Sequence, residues 1–200
     1  MHSRHKRNKV YSMLHRYDDK LISHYLEHGP EGLRTTLGIT SDRLWDVIFD
    51  YLVFEKEVVK YCTRNNSAYI HSLFAEHGPR AIRSAFQLNG DKYEDIWEYV
   101  MDYIGISRGA LYEYVSEKSS LYREHIYRGE CLSLRKDLAI EKDKYEHVWG
   151  EVLDLLLNAV STDAFTHSAF EHGLHLFSTL YNRGRKQRSL RTWQHKKQTS

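Results

Sequence analysis

Thirteen histidines invite a metal or acid–base reading, so their spacing is the first thing to weigh. Three of them stand between a glutamate and a glycine, in the pairs Glu27-His28, Glu76-His77 and Glu171-His172. Adjacent residues of a helix point in different directions, so such a pair does not by itself converge on an ion. Each pair precedes a glycine, and a histidine in the last turn of a helix is favoured by the helix dipole. There is no HExxH segment and no Cys/His cluster, so neither a metal ligand set nor a cofactor is expected. A Walker loop, GxGxxG and GxSxG are also missing. With no nucleophile–base constellation in view, the expectation is a protein that is not an enzyme.

Charge is more informative. Arg4, Lys6, Arg7 and Lys9 fall within residues 1–9, which contain no acid. Arg183, Arg185, Lys186, Arg188, Arg191, Lys196 and Lys197 fall within residues 183–200, again with no acid. Residues 10–182 carry a net charge of −9. An acidic body with two basic arms suits contact with a polyanion; a pair of solvated ends is the plainer alternative. Trp193 sits in the second arm with Leu190 as its nearest apolar residue, placed to stack on a base or anchor in a partner's groove.

The elements that would carry these groups repeat about every fifty residues. His28-Gly29-Pro30 returns as His77-Gly78-Pro79. Leu33-Arg34, Leu37, Ile39, Asp42, Leu44 and Val47 return as Ile82-Arg83, Phe86, Leu88, Asp91, Tyr93 and Ile96. They return again as Leu134-Arg135, Leu138, Ile140, Asp143, Tyr145 and Val148. A fixed period of this length marks one supersecondary unit used several times. Within each copy, helical spacing predicts a helix A ending at Gly29, Gly78 or Gly129 in a left-handed cap. Pro30 and Pro79 then open a short helix B. Helix C starts near Asp42, Asp91 and Asp143, with Thr40 and Asn89 as N-caps. Its apolar stripe reads Leu44, Val47, Ile48, Tyr51, Leu52 in the first copy and Tyr93, Ile96, Trp97, Val100, Met101 in the second. The third reads Tyr145, Val148, Trp149, Val152, Leu153. A bridging helix is expected over 54–63 and again over 108–117.

The predicted fold is therefore all-α: a tandem array of three helix-turn-helix-like repeats plus a partial fourth, flanked by basic tails. The boundaries are 1–9 (basic arm), 10–64, 65–118 and 119–160 (three repeats), 161–182 (capping repeat) and 183–200 (basic tail). The recurring pairs Arg34/Asp42, Arg83/Asp91 and Arg135/Asp143 are eight residues apart and are read as structural salt bridges closing each repeat. Cys62 and Cys131 lack metal-type spacing and are read as free thiols.

Residues 33–47 resemble a helix-turn-helix, with Gly38 at the turn and Leu33, Leu37, Ile39, Leu44 and Val47 at the apolar positions. Residues 105–118 (Gly-Ile-Ser-Arg-Gly-Ala-Leu-Tyr-Glu-Tyr-Val-Ser-Glu-Lys) resemble the recognition-helix stretch of tetracycline-repressor-type regulators. That resemblance implies DNA-backbone contacts from Ser107, Tyr112 and Lys118, with Arg108 beside them. The starts of helix C are acidic in every copy, which disfavours them next to phosphates.

Two functions follow as expectations. One is a non-enzymatic nucleic-acid-binding regulator, with DNA preferred over RNA, whose basic arms contact phosphates. The other is an interaction module or adaptor whose acidic helical faces bind a basic protein. No stretch is apolar enough for a membrane span, and the expected location is cytoplasmic, or nucleoid or nuclear if DNA-bound.

Overall fold

All of the secondary structure in the computed structural model, which describes residues 12 and 14–158, is helical; no strand occurs among the described residues. The two basic arms and the partial fourth copy at 161–182 lie outside those residues. The helices are α1 (Asp18–Thr36), α2 (Asp42–Asp50), α3 (Val58–Asn65), α4 (Ser67–His77), α5 (Pro79–Ala85) and α6 (Glu94–Val100). They continue as α7 (Ala110–Glu117), α8 (Ser119–Tyr127), α9 (Cys131–Asp137) and α10 (Glu146–Asn158).

Helices A and B of the first copy run together as α1, with a kink at Gly29 (φ 70°, ψ −176°). Gly78 breaks α4 from α5 with nearly the same angles (φ 83°, ψ 167°). This corrects the expected left-handed cap at these two glycines; at Gly129 (φ 72°) it forms as expected, Gly129 and Glu130 donating to the carbonyls of Ile126 and His125 at 2.9 and 2.8 Å. At Gly29 and Gly78 the backbone is extended at positive φ, a region essentially reserved for glycine. Pro30 and Pro79 follow, where the first turn of the next helix needs no N–H.

Helix B ends in one way in all three copies. Ile39, Leu88 and Ile140 donate their backbone N–H to the carbonyls of Arg34, Arg83 and Arg135 at 3.1, 2.9 and 2.8 Å. Gly38, Gln87 and Ala139, each at positive φ (61°, 55°, 54°), donate to the carbonyls of Thr35, Ser84 and Lys136. That is a Schellman turn, and it aims the chain into helix C.

Helix C starts as expected at Asp42 and, through short turns, at Asp91 and Asp143, but the caps lie one residue later than expected. Ser41, not Thr40, caps α2, its Oγ accepting the Leu44 N–H at 3.4 Å. Gly90, not Asn89, precedes a single 3-10 turn, Asp91–Tyr93, ahead of α6. A matching turn, Asp143–Tyr145, precedes α10. The apolar stripe is buried as expected at Tyr93, Ile96, Trp97, Val100 and Met101, and at Tyr145, Val148, Trp149 and Val152. In the first copy it is rotated. Leu44 is 43% exposed, while Trp45 and Phe49 are buried. Trp45 stands where the other copies have Glu94 and Glu146. Its indole stacks on Phe49 and donates to Gln87 Oε1 at 2.9 Å, so burying it turns Leu44 outward.

The bridging helices also begin later than expected, at Val58 and Ala110. α2 runs into a π turn, Tyr51–Glu55, and α6 into a longer one, Met101–Ser107. These wide turns consume the residues assigned to the start of the bridge.

The chain divides after Leu111 into two compact units. Tyr25, Leu33, Leu52, Val59, Phe74 and Trp97 are fully buried in the first. Ile126, Leu134, Ile140, Tyr145 and Val148 are fully buried in the second. Cys62 and Cys131 are buried free thiols, as expected. Burial pushes the Cys131 thiol up to about 11, which suppresses the reactive thiolate.

Candidate nucleic-acid interface

In the first unit, cations and tyrosines from two helices interleave. Lys60 and Arg64 lie one turn apart on α3. Tyr99 on α6 and Tyr103 in the following π turn have the same spacing, so their rings stack nearly parallel at 5.9 Å. Arg64 lies 5.5 Å from the Tyr99 ring, and its Nε donates to the Tyr99 hydroxyl at 2.9 Å. That hydroxyl holds the guanidinium even more firmly in its charged form. Lys60 Nζ sits 5.8 Å from the same ring and pairs with Glu57 at 2.6 Å. At the other end Arg108 lies 5.4 Å from the Tyr103 ring and donates to its hydroxyl at 3.1 Å.

The result is a ladder of three cations on two stacked rings, with Arg64 and Arg108 exposed. The π turn makes it possible, because the wider turn carries Arg108 back alongside Tyr103. Guanidinium groups held over aromatic faces keep their charge while their side chains are ordered in advance. Chemically, the arrangement can bind phosphates and offer ring edges to a nucleic-acid strand.

Of the residues singled out from the sequence, Arg108 belongs to this ladder and Ser107 borders it. The Ser107 hydroxyl is exposed and donates to the Asp102 carbonyl at 2.8 Å. In the second unit, the Tyr112 hydroxyl hydrogen-bonds to the Glu151 carboxylate, which raises its pKa. Lys118 lies 4.1 Å from the Tyr114 ring and donates to its hydroxyl at 2.9 Å. A carboxylate on Tyr112 is a poor neighbour for a phosphate. Arg4, Lys6, Arg7, Lys9, Arg183, Arg185, Lys186, Arg188, Arg191, Trp193, Lys196 and Lys197 lie outside the described residues.

The three helix-B arginines are occupied in holding the fold. Arg34, Arg83 and Arg135 each donate Nε to the carbonyl five residues on, at 3.1, 3.0 and 3.1 Å. Each guanidinium also lies within 5.6 to 5.9 Å of a tryptophan ring: Trp45, Trp97 or Trp149. Arg34 pairs with Asp42 at 2.5 Å. The other two arginines also have carboxylate partners that the eight-residue spacing does not name. The ion pairs join Arg83 to Glu94 and Arg135 to Glu146, eleven residues on. The 3-10 turn ahead of α6 and α10 brings this later carboxylate under the guanidinium, and Asp91 and Asp143 lead that turn.

Sequence reasoning missed Lys60, Arg64, Tyr99 and Tyr103. The signal available was two i, i+4 pairs, one cationic (Lys60, Arg64) and one aromatic (Tyr99, Tyr103). An apolar groove of about 830 Å³ also lies in the first unit, lined by Leu14, Tyr17, Leu21, Leu33, Leu37 and Ile48 among others. Ile48 there occupies the position that Trp97 and Trp149 fill in the other copies. No family model, curated protein or solved structure matches the chain.

Proposed function

We propose that the protein is a non-enzymatic nucleic-acid-binding regulator, acting on DNA in preference to RNA. Its scaffold is a tandem array of three helix-turn-helix-like repeats with a partial fourth. The observation that carries this reading is the ladder of Lys60, Arg64, Tyr99, Tyr103 and Arg108. Support comes from the eleven positive charges of the two arms, which have no acid among them. The ladder positions a strand and the arms add affinity through counterion release. The exposed acids at the starts of helix C, such as Asp42, Asp46, Asp91 and Asp95, keep phosphates off those faces.

A mobility-shift assay on duplex DNA, single-stranded DNA and RNA tests this, with full-length protein against protein lacking 1–9 and 183–200, at two salt concentrations. Duplex binding that weakens but persists without the arms is the expected result. Failure of the full-length chain to bind any of the three would refute it.

The same acids favour a second reading, an adaptor that binds a basic protein. Asp42, 88% exposed at its side chain, is the clearest of them. A pulldown that survives nuclease and does not need the arms would select that reading.

A further inference from the structure

We propose that His24, Glu27 and His28 form a binding site for a divalent transition-metal ion of the zinc type. The inference is independent of nucleic-acid binding. The three residues lie on one turn of α1, at i, i+3 and i+4. One donor atom from each comes within 4.8 Å of the others. The two imidazoles meet edge to face with centroids 4.7 Å apart. His28 Nε2 lies 3.6 Å from a Glu27 carboxylate oxygen. Donors on a tetrahedral zinc sit about 3.4 Å apart, so small rotations of the half-buried His24 and the exposed Glu27 and His28 complete the set without moving the backbone.

Glu27 and His28 alone do not converge on an ion. His24, one turn earlier, supplies the third donor on the same face. Two imidazoles and a carboxylate match zinc better than calcium or magnesium, which prefer oxygen ligands. Three protein donors leave the remaining position to water.

The second copy supplies an internal control. Glu76 and His77 keep the same 3.6 Å contact, yet Leu73 stands where the first copy has His24. A second local difference points the same way. A Cβ on Gly32 would fall 2.4 Å from the His28 Cβ, so only glycine leaves His28 where it is. The second copy has Ala81 at that position. The first copy thus carries the third donor that the second one lacks. His24 also lines the apolar groove, which places the ion at its edge.

Full-length protein, stripped with EDTA and dialysed, is titrated with Zn²⁺ against a chromophoric chelator, and with Co²⁺ followed by its d–d absorption. The expected result is one zinc equivalent whose affinity falls at least tenfold in His24→Leu and in His28→Gln. It falls severalfold in Glu27→Gln and in Gly32→Ala, which touches no donor atom. His77→Gln leaves it unchanged. Circular dichroism checks that each variant is folded, and the exposed His28→Gln decides the matter should His24→Leu lose helix. Wild-type affinity in His28→Gln, an equal loss in His77→Gln, or no zinc bound at all would overturn the site.

Discussion

The first and second copies use one arginine in two environments. Arg34 and Arg83 follow the same helix, close the same Schellman turn and donate to the same carbonyl five residues on. Their carboxylates differ. Arg34 reaches Asp42, whose side chain is 88% exposed, whereas Arg83 reaches Glu94, whose side chain is 9% exposed. The cause is an exchange on helix C. Where the second copy has Glu94 with Trp97 one turn on, the first has Trp45 with Ile48. The tryptophan stays near the guanidinium in both, but the acid moves to the surface and the position of the large ring shrinks to isoleucine. One exchange accounts for the exposed ion pair and the outward Leu44. Matching turn chemistry at the two arginines can therefore carry locally different surfaces.

The largest effect that should separate the two environments is loss of Arg83. Arg83→Ala removes the cation paired with the buried Glu94 and is expected to cost about 3–5 kcal/mol in a denaturant melt. A loss under about 1 kcal/mol would mean that the burial is not felt as an electrostatic cost. Arg34→Ala removes an exposed pair and one hydrogen bond, and should cost only about 1 kcal/mol by the same measurement. Equal losses in the two variants would erase the distinction.

The smallest effect sharpens the comparison at the Schellman turn. Gly38 takes the left-handed position without strain, while Ala139 holds φ 54° with a Cβ. Ala139→Gly should raise stability by about 1 kcal/mol, because the left-handed cost of an L-residue is relieved. Thermal unfolding reads this directly, and a drop in stability would show that the Ala139 methyl matters more than its backbone.

The all-helical class was legible in the sequence because the apolar stripe of helix C and the glycine–proline junctions repeat. Gly29, Gly78 and the three arginines could be placed before any coordinates. The π turns could not. A turn closed by i+5 hydrogen bonds keeps the apolar run going, so Tyr51 and Met101 look like ordinary helix. The Glu94 and Glu146 pairings were hidden for a related reason, since eight-residue spacing counts no 3-10 turn. The ladder was hidden by distance: Arg64 and Tyr99 meet only after α3 packs on α6. Helical periodicity reports which face is buried. It does not report which exposed groups of two helices meet.

The proposed nucleic-acid interface depends on that meeting. Fluorescence anisotropy of labelled duplex DNA, titrated with the full-length protein and with Arg64→Ala/Arg108→Ala across a salt series, tests it directly. The double variant is expected to bind about tenfold more weakly, with a log K against log salt slope shallower by about 1 to 2 and unchanged thermal stability. Affinity and slope equal to those of the unmodified chain would contradict a nucleic-acid interface on the ladder.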